Sequence, residues 1–130
     1  MAQLQGIDVS RWQGAIDFGA VRGQKQFVII KASGGDGGLY PDSKFADNKA
    51  QRRAAGLLGG FYHFAGAGDP IAEADKFVET VGDVQAGEVL VLDWEVSHPN
   101  PVAWCLQFMQ HVEARTGIKP LIYMNNGTVL

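Results

Sequence analysis

The stretch Glu88-Val-Leu-Val-Leu-Asp93-Trp-Glu95-Val96 is the most informative part of this chain. Four apolar residues, β-branched ones among them, lead directly into two carboxylates that are two positions apart. An apolar run without alternation predicts a strand covered on both faces, as in a parallel α/β sheet. Successive strand side chains alternate in direction, so Asp93 and Glu95 are expected on one face. Because carboxyl groups at the end of a buried strand are costly to place and suited to acid–base chemistry, the stretch predicts an active site.

Length and composition predict one globular domain over residues 1–130. The sequence is 46% hydrophobic and 19% charged, which argues against a disordered chain. The net charge of −3 predicts no nucleic-acid partner, and no stretch approaches the roughly 20 apolar residues of a membrane span. Cys105 is the only cysteine, which precludes an intrachain disulfide. Met1 is not followed by a Sec-type signal peptide, so synthesis in the cytoplasm is expected.

Short apolar segments alternate with helical segments along the whole chain. The predicted strands are Gly6–Ser10, Phe27–Ser33, Gly60–Phe64, Glu88–Val96 and Pro120–Met124. The predicted helices follow Asp17, begin near Ser43, and start at the Asp69-Pro70 and Asn100-Pro101 pairs, and Asn126 is expected to cap another. Regular alternation of strand and helix predicts an α/β fold with a parallel sheet and right-handed crossovers.

Chemically active side chains recur where the predicted strands end, which is where α/β folds place their sites. Asp8, Asp93 and Glu95 are the candidate catalytic residues. Crowded carboxyl groups cannot all ionise cheaply, so at least one pKa is expected to rise. A protonated acid beside an ionised one is the pair that cleaves glycosidic bonds. Aromatic residues near the same rim would offer flat faces to sugar rings: Trp12, Tyr62, Phe64, Trp94 and Tyr123.

Several other polar residues have more than one interpretation. Lys31 is expected either to pair with the acids or to lie at the rim, and His63 to be a hydrogen-bonded structural residue rather than a catalyst. His98 and His111 form no convincing zinc motif with nearby acids, so no metal or other cofactor is expected. The Gly34–Gly38 segment lacks the Gly-Lys-Ser/Thr of a phosphate loop and is interpreted as a rim loop.

These segments carry motifs in a fixed order: Gly6-Ile-Asp-Val-Ser-Arg-Trp-Gln13, Val28-Ile-Ile-Lys-Ala-Ser33, Gly60-Phe-Tyr-His-Phe64, Leu92-Asp-Trp-Glu95 and Leu121-Ile-Tyr123. In order and spacing they resemble glycoside hydrolase family 25, the lysozymes common among phage endolysins and bacterial autolysins. The resemblance covers about residues 6–126. It implies a TIM-like (β/α) barrel, of which this chain would hold an incomplete part with about five parallel strands and four helices.

The resemblance also implies a function. Its expected reaction is retaining hydrolysis of the β-1,4 bond between N-acetylmuramic acid and N-acetylglucosamine in peptidoglycan. Glu95 matches the general acid/base, Asp93 the nucleophile or the group that orients the substrate's N-acetyl nucleophile, and Asp8 a third acid. Tyr62 and Tyr123 match aromatic positions around the sugar, and Trp12, Trp94 and Lys31 complete the expected substrate-binding set. The expected place of action is the bacterial cell wall after release, with a phage-infected host as the expected setting.

Two departures from the family pattern leave alternatives open. Gly34 stands where the family usually has an acid, and a complete family domain has about 200 residues or more, with further strands. The chain is therefore expected to be a truncated or split family member, apparently cut short at the C-terminus. Its open strand edges are expected to be covered by a partner chain, a second copy or a non-standard closure. One alternative function is a catalytically impaired wall-binding or assembly module. The other is a metal-dependent polysaccharide deacetylase that uses Asp8 or Asp93 with histidines as ligands.

Overall fold

The structure, a computed structural model, describes residues 4–124 as a curled sheet with helices packed against its convex side. The helices are α1 (Phe18–Arg22), α2 (Phe45–Ala54), α3 (Pro70–Val81) and α4 (Pro101–Thr116), preceded by a 3-10 turn at Arg11–Gln13. The strands are β1 (Gly6–Val9), β2 (Phe27–Gly34), β3 (Tyr40–Pro41), β4 (Leu58–Phe64), β5 (Val89–Trp94) and β6 (Leu121–Met124).

Five of the strands form one parallel sheet in the order β1-β2-β4-β5-β6. The register places Asp8 opposite Ile29 and Asp93 opposite Tyr123. The expected α/β architecture with five parallel strands and four helices is confirmed. Within the part of the chain that the structure describes, β1 and β6 are the outermost strands.

The helix starts follow from local hydrogen bonding. Asp17 accepts a hydrogen bond from the Ala20 backbone N–H at 3.1 Å, and Asp69 accepts one from the Ile71 N–H at 3.1 Å. Each side chain satisfies an N–H that the first turn of a helix leaves unpaired. At the other end of α4, Gly117 has a φ of 73°, which glycine adopts without strain.

Two details of the sheet differ from the sequence prediction. The two-residue strand β3 pairs antiparallel with the end of β2 and was not predicted. β4 begins at Leu58, two residues before the predicted start at Gly60, because Leu58 and Gly59 also belong to the strand. A Cβ on Gly60 would lie 2.0 Å from the Val89 carbonyl oxygen, so only glycine permits this close approach. Asn126, the predicted cap of another helix, lies outside the described residues.

The hydrophobic core lies between the convex face of the sheet and the helices. Its fully buried members include Val28 and Ile30 of β2, Leu90 and Leu92 of β5, and Phe108 of α4. This packing fixes the helix-facing side of each strand, and the alternate side chains are left to the concave face. No helix within residues 4–124 is both long enough and apolar enough to cross a membrane.

Candidate active site

The concave face of the sheet holds a pocket of about 410 Å³. Along β5, Leu90, Leu92 and Trp94 point into the core, so Val91 and Asp93 point the other way. Glu95 follows the last residue of the strand and continues the same alternation. The pocket is lined by Asp8, Ile29, Tyr62, Val91, Asp93, Glu95 and Tyr123.

Three carboxyl groups from two distant strands meet in this pocket. Asp8 comes from β1, whereas Asp93 and Glu95 come from the carboxyl end of β5. β2 and β4 lie between these strands in the sheet, so the curl of the sheet is what brings the acids together. The three candidate catalytic residues therefore lie together as the sequence predicts, while their catalytic roles stay predictions.

The Asp93 carboxyl holds a proton in the neutral pH range. Burial, a hydrogen bond with Glu95 and the charges of Glu95 and Asp8 together raise its pKa to about 8, and the charge of Lys31 opposes this shift. Asp93 Oδ1 is buried and has no hydrogen-bond partner among residues 4–124. The expected rise of at least one pKa is confirmed, and it falls on Asp93. The unsatisfied oxygen marks where the pocket can bind a polar ligand group.

The two tyrosines of the pocket differ in exposure. Tyr62 is half-buried beside the acids, and burial together with the charges of Asp8 and Asp93 raises the pKa of its hydroxyl. That hydroxyl therefore stays protonated and can donate a hydrogen bond to a ligand. Tyr123 lies at the open side of the pocket with 56% of its surface exposed, which leaves a flat aromatic face for a ligand.

Lys31 lies beside the pocket but contacts a tyrosine rather than the three acids. Its Nζ donates a hydrogen bond to Tyr40 Oη at 2.7 Å, and Tyr40 donates one to Asp36 Oδ1 at 2.6 Å. Burial lowers the Lys31 pKa, and the charges of Asp36 and Asp42 oppose that shift. Tyr40 and Asp36 were not identified from the sequence, because β3, which carries Tyr40, exists only through its pairing with β2.

The space beside Gly34 is already occupied. A Cβ at Gly34 would lie 2.3 Å from Tyr40 Oη and 2.8 Å from Asp36 Oδ1. An acidic side chain at position 34 is therefore incompatible with the observed position of Tyr40. The Asp36 carboxylate reaches the same region from two residues further along the chain, so the departure at Gly34 does not leave this side of the pocket without an acid.

The two predicted tryptophan contacts have opposite outcomes. Trp12 lies on the 3-10 turn after β1 with 77% of its surface exposed, so it is available to a ligand. Trp94 is 1% exposed, and its ring centre lies 5.1 Å from that of Trp104 in the core. The prediction of Trp94 as a sugar-contacting residue is wrong, because the alternation that turns Asp93 into the pocket turns Trp94 away from it.

A buried hydrogen-bonded chain lies on the other side of β4. Ser33 Oγ is 2.8 Å from His63 Nδ1, and His63 Nε2 is 2.8 Å from Glu73 Oε1. Burial lowers the His63 pKa; burial raises the Glu73 pKa, but hydrogen bonds from His63, Gly66 and Gly68 outweigh it and lower that pKa. Neutral His63 thus donates from Nε2 to the carboxylate and accepts from Ser33 at Nδ1. All three residues are at most 1% exposed, which fits the predicted structural role of His63.

The described residues offer no evident metal centre. Among residues 4–124, no group of three or more His, Cys, Asp or Glu side chains has an arrangement that could hold a metal ion. His111 Nε2 lies 2.7 Å from Asp75 Oδ1, and the His98 ring accepts a hydrogen bond from the Asn100 N–H. Both histidines therefore have local partners away from the three acids.

Comparison with known proteins connects this pocket to one enzyme family. The family model "Glycosyl hydrolases family 25" matches residues 7–128, which is nearly the whole chain. The chain belongs to glycosyl hydrolases family 25. The autolytic lysozyme of Clostridium acetobutylicum is 37% identical over 95 residues, which is 72% of this chain and 29% of that protein. The N,O-diacetylmuramidase of Chalaropsis is 32% identical over 139 residues, covering 94% of this chain and 66% of that protein.

The family fold is also found among solved structures. A bacterial lysozyme from Streptomyces coelicolor superimposes with a TM-score of 0.82 at 32% identity, covering 95% of this chain and 63% of that structure. The chain therefore spans less than two thirds of each of these three proteins. Its five strands and four helices match part of the family 25 lysozyme fold.

Proposed function

We propose that this family 25 protein is a peptidoglycan hydrolase that cleaves the β-1,4 bond between N-acetylmuramic acid and N-acetylglucosamine. The observation that carries the proposal is the single pocket lined by Asp8, Asp93 and Glu95, in which one carboxyl keeps its proton at neutral pH. Glycosidic bond cleavage needs a proton donor and an ionised group within one site. The names of the related proteins, an autolytic lysozyme and an N,O-diacetylmuramidase, support the wall glycan as the substrate class.

Glu95 is the proposed general acid. Because Asp93 and Glu95 share a hydrogen bond, the proton belongs to the pair and can pass to Glu95 when a substrate enters. Glu95 then protonates the glycosidic oxygen as the bond from that oxygen to C1 breaks. The first step also joins the nucleophile to C1. In the second step the Glu95 carboxylate takes a proton from water, and the water oxygen bonds to C1 as the bond between C1 and that nucleophile breaks. Two displacements at C1 give net retention.

The nucleophile of the first step is either the Asp93 carboxylate or the N-acetyl oxygen of the substrate. Retaining enzymes with a carboxylate nucleophile hold their two carboxyl groups about 5 Å apart. Asp93 and Glu95 are hydrogen-bonded, which places their carboxyl groups closer together than that. The contact favours the N-acetyl oxygen as nucleophile, with Asp93 orienting the acetamido group through its unpaired oxygen.

Reducing-end analysis of digested cell walls tests the proposed activity. Purified peptidoglycan is incubated with the protein, and new reducing ends are labelled by borohydride and identified. We expect reduced muramic acid from the unaltered protein and a loss of about 100-fold or more in Glu95→Gln. Glu113→Gln is the matched control, since Glu113 is an exposed acid on α4. Reduced glucosamine as the sole product, or no product, contradicts the proposal.

Two further readouts separate the alternatives. Protein that sediments with walls but releases no reducing ends is a binding module rather than a hydrolase. Acetate release that stops when a strong chelator is added indicates a metal-dependent deacetylase instead. The proposed place of action is the bacterial cell wall, reached after release from the cell that makes the protein, with a phage-infected host as the proposed setting.

A further inference from the structure

Cationic and aromatic side chains alternate along one side of the pocket. The Arg11 guanidinium carbon lies 5.0 Å from the ring centre of Trp12 and 5.1 Å from that of Tyr40. Lys31 Nζ lies 4.9 Å from the Tyr40 ring centre and 5.1 Å from that of Phe64. We call the set Trp12, Arg11, Tyr40, Lys31 and Phe64 the rim ladder. Attraction between cations and ring faces holds such a stack together.

The rim ladder borders the three acids. Arg11 follows Asp8 by three residues, and Lys31 is paired in register with Tyr62, which lines the pocket. Phe64 is paired with Asp93 on the neighbouring strand. A glycan bound over the acids therefore has substituents within reach of the ladder.

Arg11 is the member of the ladder that is available to an anion. About a third of its side chain is exposed, and its guanidinium comes no closer than 4.0 Å to Asp42 Oδ1. Asp42 is itself buried and already accepts the backbone N–H groups of Arg11 and Lys44. A planar guanidinium fixed between two rings presents N–H donors in a geometry that suits a carboxylate.

The positive charge of Arg11 lies in a chain that is negatively charged overall. The chain carries a net charge of −3, and three acids line the adjacent pocket. General electrostatic attraction to an anionic wall is therefore not expected. One face of the Trp12 ring contacts Arg11, but most of the Trp12 surface is exposed to solvent. The exposed ring can stack on a sugar ring.

We infer that the rim ladder binds a carboxylate-bearing substituent of the glycan, with Arg11 as the specificity-determining residue. This inference rests on the proposed function, because it presupposes that the pocket binds peptidoglycan. A muramyl unit carries this carboxylate on its stem peptide or, where the stem peptide has been removed, on its lactyl group, because an attached peptide converts the lactyl carboxyl to an amide. In either form the carboxylate distinguishes muramyl glycan from a neutral chitin-type chain.

Sedimentation binding to three matched wall preparations tests the inference with the full chain. All start from peptidoglycan stripped of teichoic acid. The first keeps its stem peptides, the second has lost them to an amidase and keeps lactyl carboxylates, and the third has its carboxylates converted to neutral amides with glycinamide. Arg11→Ala is compared with Arg22→Ala, which removes an equal charge from the exposed last turn of α1.

We expect the unaltered protein to bind the first or the second preparation about tenfold more tightly than the neutralised one, as one charge-assisted hydrogen bond allows. Arg11→Ala should lose this difference, and Arg22→Ala should keep it. Tight binding to the amidase-treated wall assigns the carboxylate to the lactyl group, and weak binding assigns it to the stem peptide.

Equal binding of the unaltered protein to all three preparations overturns the inference, as does an equal loss in both arginine variants. Neither result touches the proposed function if reducing ends are still released. Conversely, Arg11-dependent binding without cleavage supports the inference and contradicts the hydrolase. Failure to bind any wall overturns both.

Discussion

Asp93 lies in surroundings that disfavour its charged form. It is half-buried beside Glu95 and close enough to Asp8 to feel its charge, and its buried Oδ1 has no hydrogen-bond partner among residues 4–124. A folded protein that keeps such a group accepts a cost in stability in exchange for a proton held inside the site. That cost depends on pH and can be measured without substrate.

The pKa of Asp93 predicts how stability changes with pH. In the unfolded chain the carboxyl titrates near 3.8, whereas in the folded protein its pKa is about 8. Between these pH values only the folded state binds the proton. The contribution of this proton to the free energy of unfolding is therefore full below pH 4 and is lost as pH rises through 8. As pH rises from 5 to 9, the urea midpoint of Asp93→Asn should therefore increase relative to the urea midpoint of the unaltered protein.

Asp83→Asn is the control for this pH dependence. Asp83 is an exposed carboxyl. Hydrogen bonds from Lys49 and Arg53 lower its pKa to about 2, which is well below the tested pH range. Its substitution should shift the midpoint equally at pH 5 and pH 9. A difference between Asp93→Asn and the unaltered protein that does not grow with pH would show that Asp93 is ionised in the folded state.

The site residues show what residue-level reasoning can recover. Asp8, Asp93, Glu95, Tyr62 and Tyr123 could be placed in one pocket from strand ends and motif order. Trp94 was placed wrongly, although the alternation that put Asp93 and Glu95 on one face also requires Trp94 to face the core. Arg11 and Tyr40 could not be assigned, since their association depends on cross-strand geometry rather than on local spacing.

At the scale of elements, glycines in β4 allow a close approach to both neighbouring strands. Gly60 lies between Ile29 of β2 and Val89 of β5, and its missing side chain lets the strands approach. The sequence prediction began the strand at Gly60 and left out Leu58 and Gly59, and a glycine within a strand ordinarily weakens it. Only the neighbouring strands show why glycine is required there.

Gly60→Ala should destabilise the protein by about 1–3 kcal/mol, the usual cost of forcing an extra group into a packed interior. Its Cβ would meet the Val89 backbone, which cannot move without disturbing β5. Gly23→Ala should lie within about 1 kcal/mol of the unaltered protein, because Gly23 has right-handed helical geometry. Urea unfolding measures both, and equal midpoints would contradict the close approach of β4 and β5.

α3 is tied to the sheet through Glu73. This carboxylate accepts hydrogen bonds from His63 and from the Gly66 and Gly68 backbone N–H groups, so it fixes the loop that follows β4. Sequence patterns give no signal for such a contact, because a glutamate near the start of a helix is ordinarily interpreted as a surface residue.

Glu73→Ala should cost about 3–5 kcal/mol, because it leaves several buried donors without an acceptor. Ser33→Ala removes only the outer hydroxyl of the chain and should cost about 1 kcal/mol. Denaturant titration of the two variants gives the comparison. A larger loss in Ser33→Ala than in Glu73→Ala would mean that the loop is held by other contacts.

At the scale of the whole molecule, the carboxyl-terminal and amino-terminal ends of the strands form two edges of the sheet, and these two edges have different roles. The carboxyl edge bears the acids and the rim ladder, whereas the amino edge is held by ion pairs between α2 and the residue before β5. There Glu88 accepts hydrogen bonds from Arg52 and from Arg53, the latter at 2.7 and 2.9 Å. In barrel folds the amino edge commonly serves stability and the carboxyl edge serves chemistry.

Glu88→Ala should lower stability by about 3–5 kcal/mol without changing wall binding per folded molecule. The substitution leaves the buried Arg52 guanidinium without its carboxylate, and Arg52 is only 2% exposed. Glu79→Ala removes an exposed acid whose ion-pair distance to Arg115 is 4.0 Å, and should cost less than about 0.5 kcal/mol. Weakened wall binding in folded Glu88→Ala would show that the two edges are coupled.

The placement of the three tryptophans gives this protein two separate optical signals. Trp94 and Trp104 are shielded from solvent and report on unfolding, whereas Trp12 emits from the surface beside Arg11. An aqueous quencher such as acrylamide should thus reach one indole in the native protein and all three after denaturation. A saccharide that binds over Trp12 would shield this indole from the quencher. Its binding could then be followed by Trp12 fluorescence, without a label and without cleavage.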